Sequence, residues 1–325
     1  MKRIVTFLLA MTPFLMGLTG AEARQSPRIP RIGILILKSG PSETVRGLQH
    51  GLRELGYREG KNILLLNRSA KGDRQALRPR AIELVSKKVD LIFTTGSGAT
   101  QAAKAATKEI PIVFRHPLHP VELGLVKSMT RPGGNLTGVA GLSVQIAEKR
   151  LGILREILPR VRRVLIFYDS NNPISRGHFA FAEEAAMKLG LKVAEHPVKS
   201  AEELKITVTG VQKREGDALY YVSDSLVGSQ AKFIFKVARR KKLPTMFDRA
   251  AWAAKGSLAA YGPNYYLMGR QAASLVDKIL KGAMPQNLPV EQANKFDLAI
   301  NLRTASIIGV TIPLEVVKRA DKVIR

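Results

Sequence analysis

An α/β fold of two doubly wound parallel-sheet lobes, joined by a three-strand hinge, is predicted by three features of this sequence. Short apolar runs without polar alternation recur between amphipathic segments, as expected of parallel strands covered by helices on both faces. The rhythm breaks at Arg131-Pro132-Gly133-Gly134-Asn135 and then restarts, so one architecture is built twice. The chain has no cysteine, and about 300 residues beyond a leader suffice for two apolar cores that must hold it without disulfides.

Taken in order, residues 32–37 (Ile-Gly-Ile-Leu-Ile-Leu) read as a strand buried on both faces. Lys38-Ser39-Gly40-Pro41 makes the turn. The next helix has Ser42 as its cap, Val45, Leu48, Leu52 and Leu55 on one face, and Gly56 as its stop. Strands are expected at 62–67, 90–94 and 112–114, with helices at 75–87 and 98–107 between them. Residues 136–140 form a strand leading out of the first lobe. In the second lobe a helix carrying Ala147, Leu151, Leu154 and Leu158 precedes a strand at 164–168. Another, carrying Phe179, Ala182, Ala186 and Leu189, stops at Gly190. Strands at 192–195, 218–222 and 258–261 alternate with helices at 201–213, 229–240 and 268–280. Residues 285–289 are a linker, and 296–301 the last strand. The lobes therefore take residues 28–139 plus 261–288 and 140–260 plus 289–325. Hinge strands are expected near 138–141, 258–261 and 288–292.

Residues 1–23 have the layout of a cleavable secretory leader: Lys2-Arg3, an apolar stretch to about Gly20, then Ala21-Glu22-Ala23. A periplasmic protein is expected, without a lipid anchor because no cysteine exists to carry one. The formal charge is +26 from 52 basic and 26 acidic residues. The basic residues lie in short scattered groups such as 160–163 and 239–242, with no basic tail and no aromatic-basic interleaving. Nucleic acid is therefore not an expected partner of an exported chain. A solvated surface, or one facing anionic membrane or wall polymers, is.

In doubly wound sheets ligands bind beyond the carboxyl ends of the strands. The loops that qualify are 38–42, 94–99, 115–120, 169–173 and 223–226, with 248–252 as a weaker sixth. The candidate ligand-binding residues are Ser39, Thr95, Gly96, Ser97, Gly98 and His116 in the first lobe. Those of the second are Asp169, Asn171, Asn172, Ser223, Asp224 and Asp248. Thr94-Thr95-Gly96-Ser97-Gly98 leaves a strand and opens a helix, so free backbone N–H groups and hydroxyls suit a carboxylate or similar small anion. Asp169-Ser170-Asn171-Asn172-Pro173 serves either an ammonium or hydroxyl group, or an Asx turn and helix cap. Ser223-Asp224-Ser225 carries the same two readings. His116 and His119 lack a third ligand and make a poor metal site. Tyr220, Tyr221 and Trp252 line a pocket or pack, with at least one of the tyrosines facing the core. Ser97 lacks the first glycine of a nucleophile elbow. No dinucleotide fingerprint, phosphate-cradling Gly-Lys-Ser/Thr or His-Glu-x-x-His occurs. Neither catalysis nor a cofactor is expected.

Several stretches resemble the ABC transporter substrate-binding proteins of the tryptophan/tyrosine-associated group. They are Gly51-Leu52-Arg53-Glu54-Leu55-Gly56-Tyr57-Arg58-Glu59-Gly60-Lys61-Asn62, Ala106-Thr107-Lys108-Glu109-Ile110-Pro111-Ile112-Val113 and Arg131-Pro132-Gly133-Gly134-Asn135-Leu136-Thr137-Gly138. Tyr261-Gly262-Pro263-Asn264, Leu288-Pro289-Val290-Glu291-Gln292 and Ala299-Ile300-Asn301-Leu302 continue the likeness, which runs from Arg31 to the C-terminus. The resemblance implies the type I periplasmic-binding fold, a small-molecule ligand in a cleft, a monomer, and an ABC permease with its ATPase as membrane partners. Aromatic amino acids are ligands of some members. Two departures are His119-Pro120-Val121, where the family usually reads Asp-Pro-Val, and Lys255-Gly256-Ser257-Leu258, where it often has Gly-Gly-Leu. The first puts a weak base in place of an acid at a pocket edge. A ligand sensor signalling through a membrane receptor shares these features, and an α/β enzyme is the more distant alternative.

Overall fold

The computed structural model describes residues 28–37, 42–116, 120–121, 123–141 and 144–325. The expected leader at 1–23, Ser39 and His119 lie outside the described residues. In chain order the elements begin β1 (Arg31–Ile36), α1 (Glu43–Glu54), β2 (Leu64–Ser69), α2 (Leu77–Ser86), β3 (Leu91–Thr95), α3 (Ser97–Ala106), β4 (Ile112–His116) and β5 (Leu136–Ala140). There follow α4 (Val144–Ile157), β6 (Arg163–Asp169), α5 (Pro173–Lys188), β7 (Lys192–Val198), α6 (Ala201–Gly210), β8 (Ala218–Tyr220), α7 (Ser225–Ser229) and α8 (Ala231–Arg240). The last are β9 (Thr245–Phe247), α9 (Ala250–Lys255), β10 (Ala259–Pro263), α10 (Tyr265–Leu280), β11 (Glu291–Gln292), β12 (Phe296–Asn301), α11 (Leu302–Ile308), α12 (Leu314–Lys318) and β13 (Lys322–Ile324).

Two sheets result, one ordered β11-β5-β4-β3-β1-β2 and the other β13-β12-β10-β9-β8-β6-β7. Every pair in the first is parallel, whereas β10 and β12 run antiparallel in the second. Both sheets are thus dominated by parallel pairs, as expected, with β10 and β12 the one antiparallel pair among the described strands. Each sheet has a core on both faces. In the first, Ile32 and Ile34 join Leu48, Leu52 and Met268 on one side, while Leu35, Ile92 and Phe114 join Leu77 and Leu84 on the other. This explains the unalternating apolar runs. Capping followed the expected chemistry at α1, where the Ser42 hydroxyl accepts from Val45 N at 3.4 Å and Gly56 takes φ +91° past the end.

The chain passes between the sheets three times: between Ala140 and Val144, between Pro263 and Tyr265, and between Gln292 and Phe296. The expected divisions at 260/261 and 288/289 therefore move. Tyr261 to Pro263 stay with the second sheet through β12, and Glu291-Gln292 pair with Val139-Ala140 of the first. Pairing partners, not composition, set these limits. Asn264 ties two crossings together: its N–H donates to Lys295 O at 3.0 Å and its Nδ2 to Asp297 Oδ2 at 2.7 Å. Its Oδ1 caps α10 by accepting from Leu267 N at 2.9 Å. Among the described residues no helix is long and apolar enough to cross a membrane.

Candidate functional site

The carboxyl ends of β4 and β9, from different sheets, meet at the start of α10. Arg115, the penultimate residue of β4, shares the strand face of Val113 and turns to the α10 side. Its guanidinium stacks on the Tyr265 ring, 4.0 Å from the centroid. From the second sheet, Arg249 follows β9 and lies 5.2 Å over the same ring. Tyr265 opens α10 directly after a crossing, so one aromatic ring contacts two cations that belong to two sheets. Arg115 is 8% exposed, and burial pulls its guanidinium below the ordinary pKa.

Asp248 and Arg249 form a pair at 3.4 Å, and Asp248 Oδ1 also accepts from Trp252 Nε1 at 2.9 Å. Behind them Tyr221, Phe235, Phe247 and Trp252 form an aromatic cluster, Tyr221 and Phe247 stacking at 4.5 Å. Both tyrosines of the Tyr220-Tyr221 pair are buried, one on each face of the sheet. Tyr221 donates to Asp224 O at 2.6 Å and stays protonated because burial pushes its phenol well up.

The sequence-derived candidates divide into two sets. Ser97 and His116 come together across β3 and β4, with His116 Nε2 2.7 Å from Ser97 Oγ. Gly96 takes φ +82°, a conformation open to glycine, and lets Ser97 begin α3. Thr95 and Gly96 are partly exposed beside them and Gly98 is exposed, while Thr94 is spent on Thr100 Oγ1 at 2.9 Å. In the second lobe the local readings prevail. Asn171 N donates to Asp169 Oδ1 at 3.0 Å, an Asx turn. Asn172 caps α5 by accepting from Ile174 N at 3.2 Å. Asp224 caps α7 from Val227 N at 2.8 Å and takes Asp169 N at 2.9 Å through its other oxygen. Ser223 offers its carbonyl to His178 Nδ1.

Arg115, Arg150, His178, Arg249 and Tyr265 were not picked out in the sequence. A charged residue inside the buried run 112–116 was the available signal for Arg115. Arg150 reaches from α4 to donate to Tyr221 O at 2.8 Å, with its guanidinium 5.1 Å over Tyr220.

His178 is 6% exposed, and its Nε2 has no partner among the described residues. Burial pushes its imidazole from 6.5 down to about 4. As pH falls below the unfolded value, the unfolded chain takes up a proton that the folded chain refuses until about pH 4. Excess protons on the unfolded side mean stability is lost on acidification, by roughly 3 kcal/mol across that window. Urea midpoints should drop from pH 6.5 to 4, and His178→Gln should flatten the drop. An unaltered slope in the variant would disprove the assignment.

The residues that converge here suit a small anion or hydroxylated solute enclosed between two surfaces. Among the described residues no three His, Asp or Glu side chains are grouped as a metal site.

The model of a family described as ABC transporter substrate binding protein matches residues 31–324. A tyrosine-binding protein of Clostridioides difficile is 29% identical over 279 residues, covering 85% of this chain and 80% of that one. A Streptococcus pneumonia ABC domain in complex with L-Trp is 28% identical at a TM-score of 0.84, covering 91% of this chain and 99% of the other. A ligand-free, open substrate binding protein with adhesive properties from Clostridium difficile is 29% identical at a TM-score of 0.73, covering 91% and 99%.

Proposed function

The chain belongs to the ABC transporter substrate binding protein family, and from that premise we propose that it is a periplasmic solute-binding protein serving an ABC importer. It has the type I periplasmic-binding fold. The ligand is a small polar solute, an amino acid or a small carboxylate, taken between the two lobes. Closing the hinge over it creates the shape that docks on the permease and its ATPase. Chemistry is not part of the role: the ligand leaves as it arrived. A monomer meeting the inner membrane only through the permease completes the picture.

The observation that carries this reading is the convergence of Arg115 and Arg249, from different sheets, on Tyr265. A group bound there touches both halves at once, so occupancy and lobe closure are one equilibrium. The greater likeness to the L-Trp-bound structure than to the open, ligand-free one supports a closed arrangement of the lobes here. Three connecting segments, two of them tied at Asn264, suit a hinge that bends without letting the halves slide. The sequence-derived candidates Ser97 and His116 stand on the first-lobe side and Asp169 and Ser223 on the second, as contacts to be tested by substitution.

Native mass spectrometry of freshly purified protein, followed by X-ray scattering with and without the retained compound, tests the proposal. One compound per chain, unchanged after release, and a smaller radius of gyration when loaded are the expected results. Release of a chemically altered compound, or identical scattering from both states, would remove the basis for it.

A further inference from the structure

Burying a guanidinium without a carboxylate is costly, since desolvation is not repaid by an opposite charge. Two arginines beside the cleft are in that position. Arg115 is 8% exposed and Arg150 9% exposed, and among the described residues neither forms an ion pair. The Nε of each also has no hydrogen-bond partner among those residues. Their ring contacts with Tyr265 and Tyr220 supply a quadrupole, not a negative charge.

The acids nearby are already engaged. Asp248 holds Arg249 and Trp252 Nε1, and Asp224 holds two backbone N–H groups. Asp169, partly exposed at the rim, gives one oxygen to Asn171 N. Donors are thus in surplus at the cleft: Asp224 uses both oxygens, and Asp248 meets two donors through Oδ1 alone. A ligand's anionic group would find a waiting partner at Arg115; an ammonium group would have to share acids that already hold other donors.

We propose that the cleft is a receptor for a small organic carboxylate, whose carboxylate neutralises Arg115, and that an ammonium group on the ligand is dispensable. This rests on the solute-binding reading above and narrows its ligand class. It parts from an amino-acid receptor, in which both charged ends of the zwitterion must be recognised. A bidentate guanidinium–carboxylate contact in a site shielded from water is strong and directional, and it forms only once the lobe bearing Arg249 covers Arg115.

Calorimetry with matched trios tests it: an amino acid, its deaminated acid and its decarboxylated amine, built on phenol, indole and branched aliphatic frameworks. For the frameworks that bind, the deaminated acid should stay within about tenfold of the amino acid, and the amine should lose at least about 100-fold. Amine binding, or a loss above about 100-fold on deamination alone, overturns the carboxylate assignment and leaves solute binding intact. No binding by any trio, together with unchanged scattering, overturns both. Arg115→Met separates ligand contact from architecture. Because it replaces an unpaired buried charge by an apolar chain of similar length, the unliganded variant should melt no lower than the parent. It should nonetheless lose about 100-fold in acid affinity, partly restored in Arg115→Lys. A large fall in the melting point of unliganded Arg115→Met would show a structural ion instead.

Discussion

Asp248→Ala is expected to lower the unfolding free energy by about 2–4 kcal/mol, read as a shift of the urea midpoint at constant slope. Two losses combine. Asp248 is 5% exposed, and its Oδ1 serves both Trp252 Nε1 at 2.9 Å and Arg249 at 3.4 Å. Without it the indole N–H is left without an acceptor against the aromatic cluster, and Arg249 keeps a charge without its counter-ion. The Arg249 side chain is 32% exposed, so water screens part of that second cost and holds the total below a fully buried pair. Asp248→Asn should recover part of the loss by accepting from Trp252. Were Asp248→Ala to unfold within about 0.5 kcal/mol of the parent, the pair would have no structural weight.

Gly47→Val should be the most damaging single change outside the cleft, costing about 3 kcal/mol or more. Helices α1 and α10 cross with their backbones in contact. A Cβ on Gly47 would stand 1.9 Å from Tyr266 O, and one on Gly269 1.9 Å from Thr44 O. A Cβ on Gly51 would meet Arg270 O at 2.8 Å. Rigid backbone cannot yield as a side chain can, so the helices must separate and open the core formed by Leu48, Leu52, Met268 and Val276. Tyr265 begins α10 and stacks under Arg115, so ligand affinity should fall along with stability. Gly152→Ala is the matched control, because that helical glycine has nothing within 4 Å of an added Cβ. It should be neutral or stabilising by up to about 1 kcal/mol. Equal melting points for Gly47→Val and the parent would mean the helices are not in contact.

Local signals worked wherever the cause of structure is local. Ser42 and Gly56 bracket α1, and residues 136–140 form the strand expected of them. Short strands escaped: β9 has three residues and β11 two, too few for any period to show. The helix expected at 229–240 is α8, starting at Ala231, while the short α7 before it was not expected, and the strand expected at 218–222 ends at Tyr220. At the candidate site the sequence pointed to loops at strand ends, but not to all the side chains that meet there. Asn172 and Asp224 were read as either contacts or caps, and in the structure each caps a helix. Arg115 was passed over because one charge in an apolar run looks like an interruption. Strand parity and the arrival of α10 from 150 residues later turn it into a feature of the cleft.

By itself, then, the order of residues determined the alternating α/β architecture, its duplication and the family, because burial pattern, caps and turns act over a few residues. Which strand joins which sheet, where the chain crosses, and which charges face one another were decided only in three dimensions. Pairing and desolvation act between groups distant in sequence. Arg115 and Arg249 are separated along the chain by 134 residues, yet both stack on the ring of Tyr265.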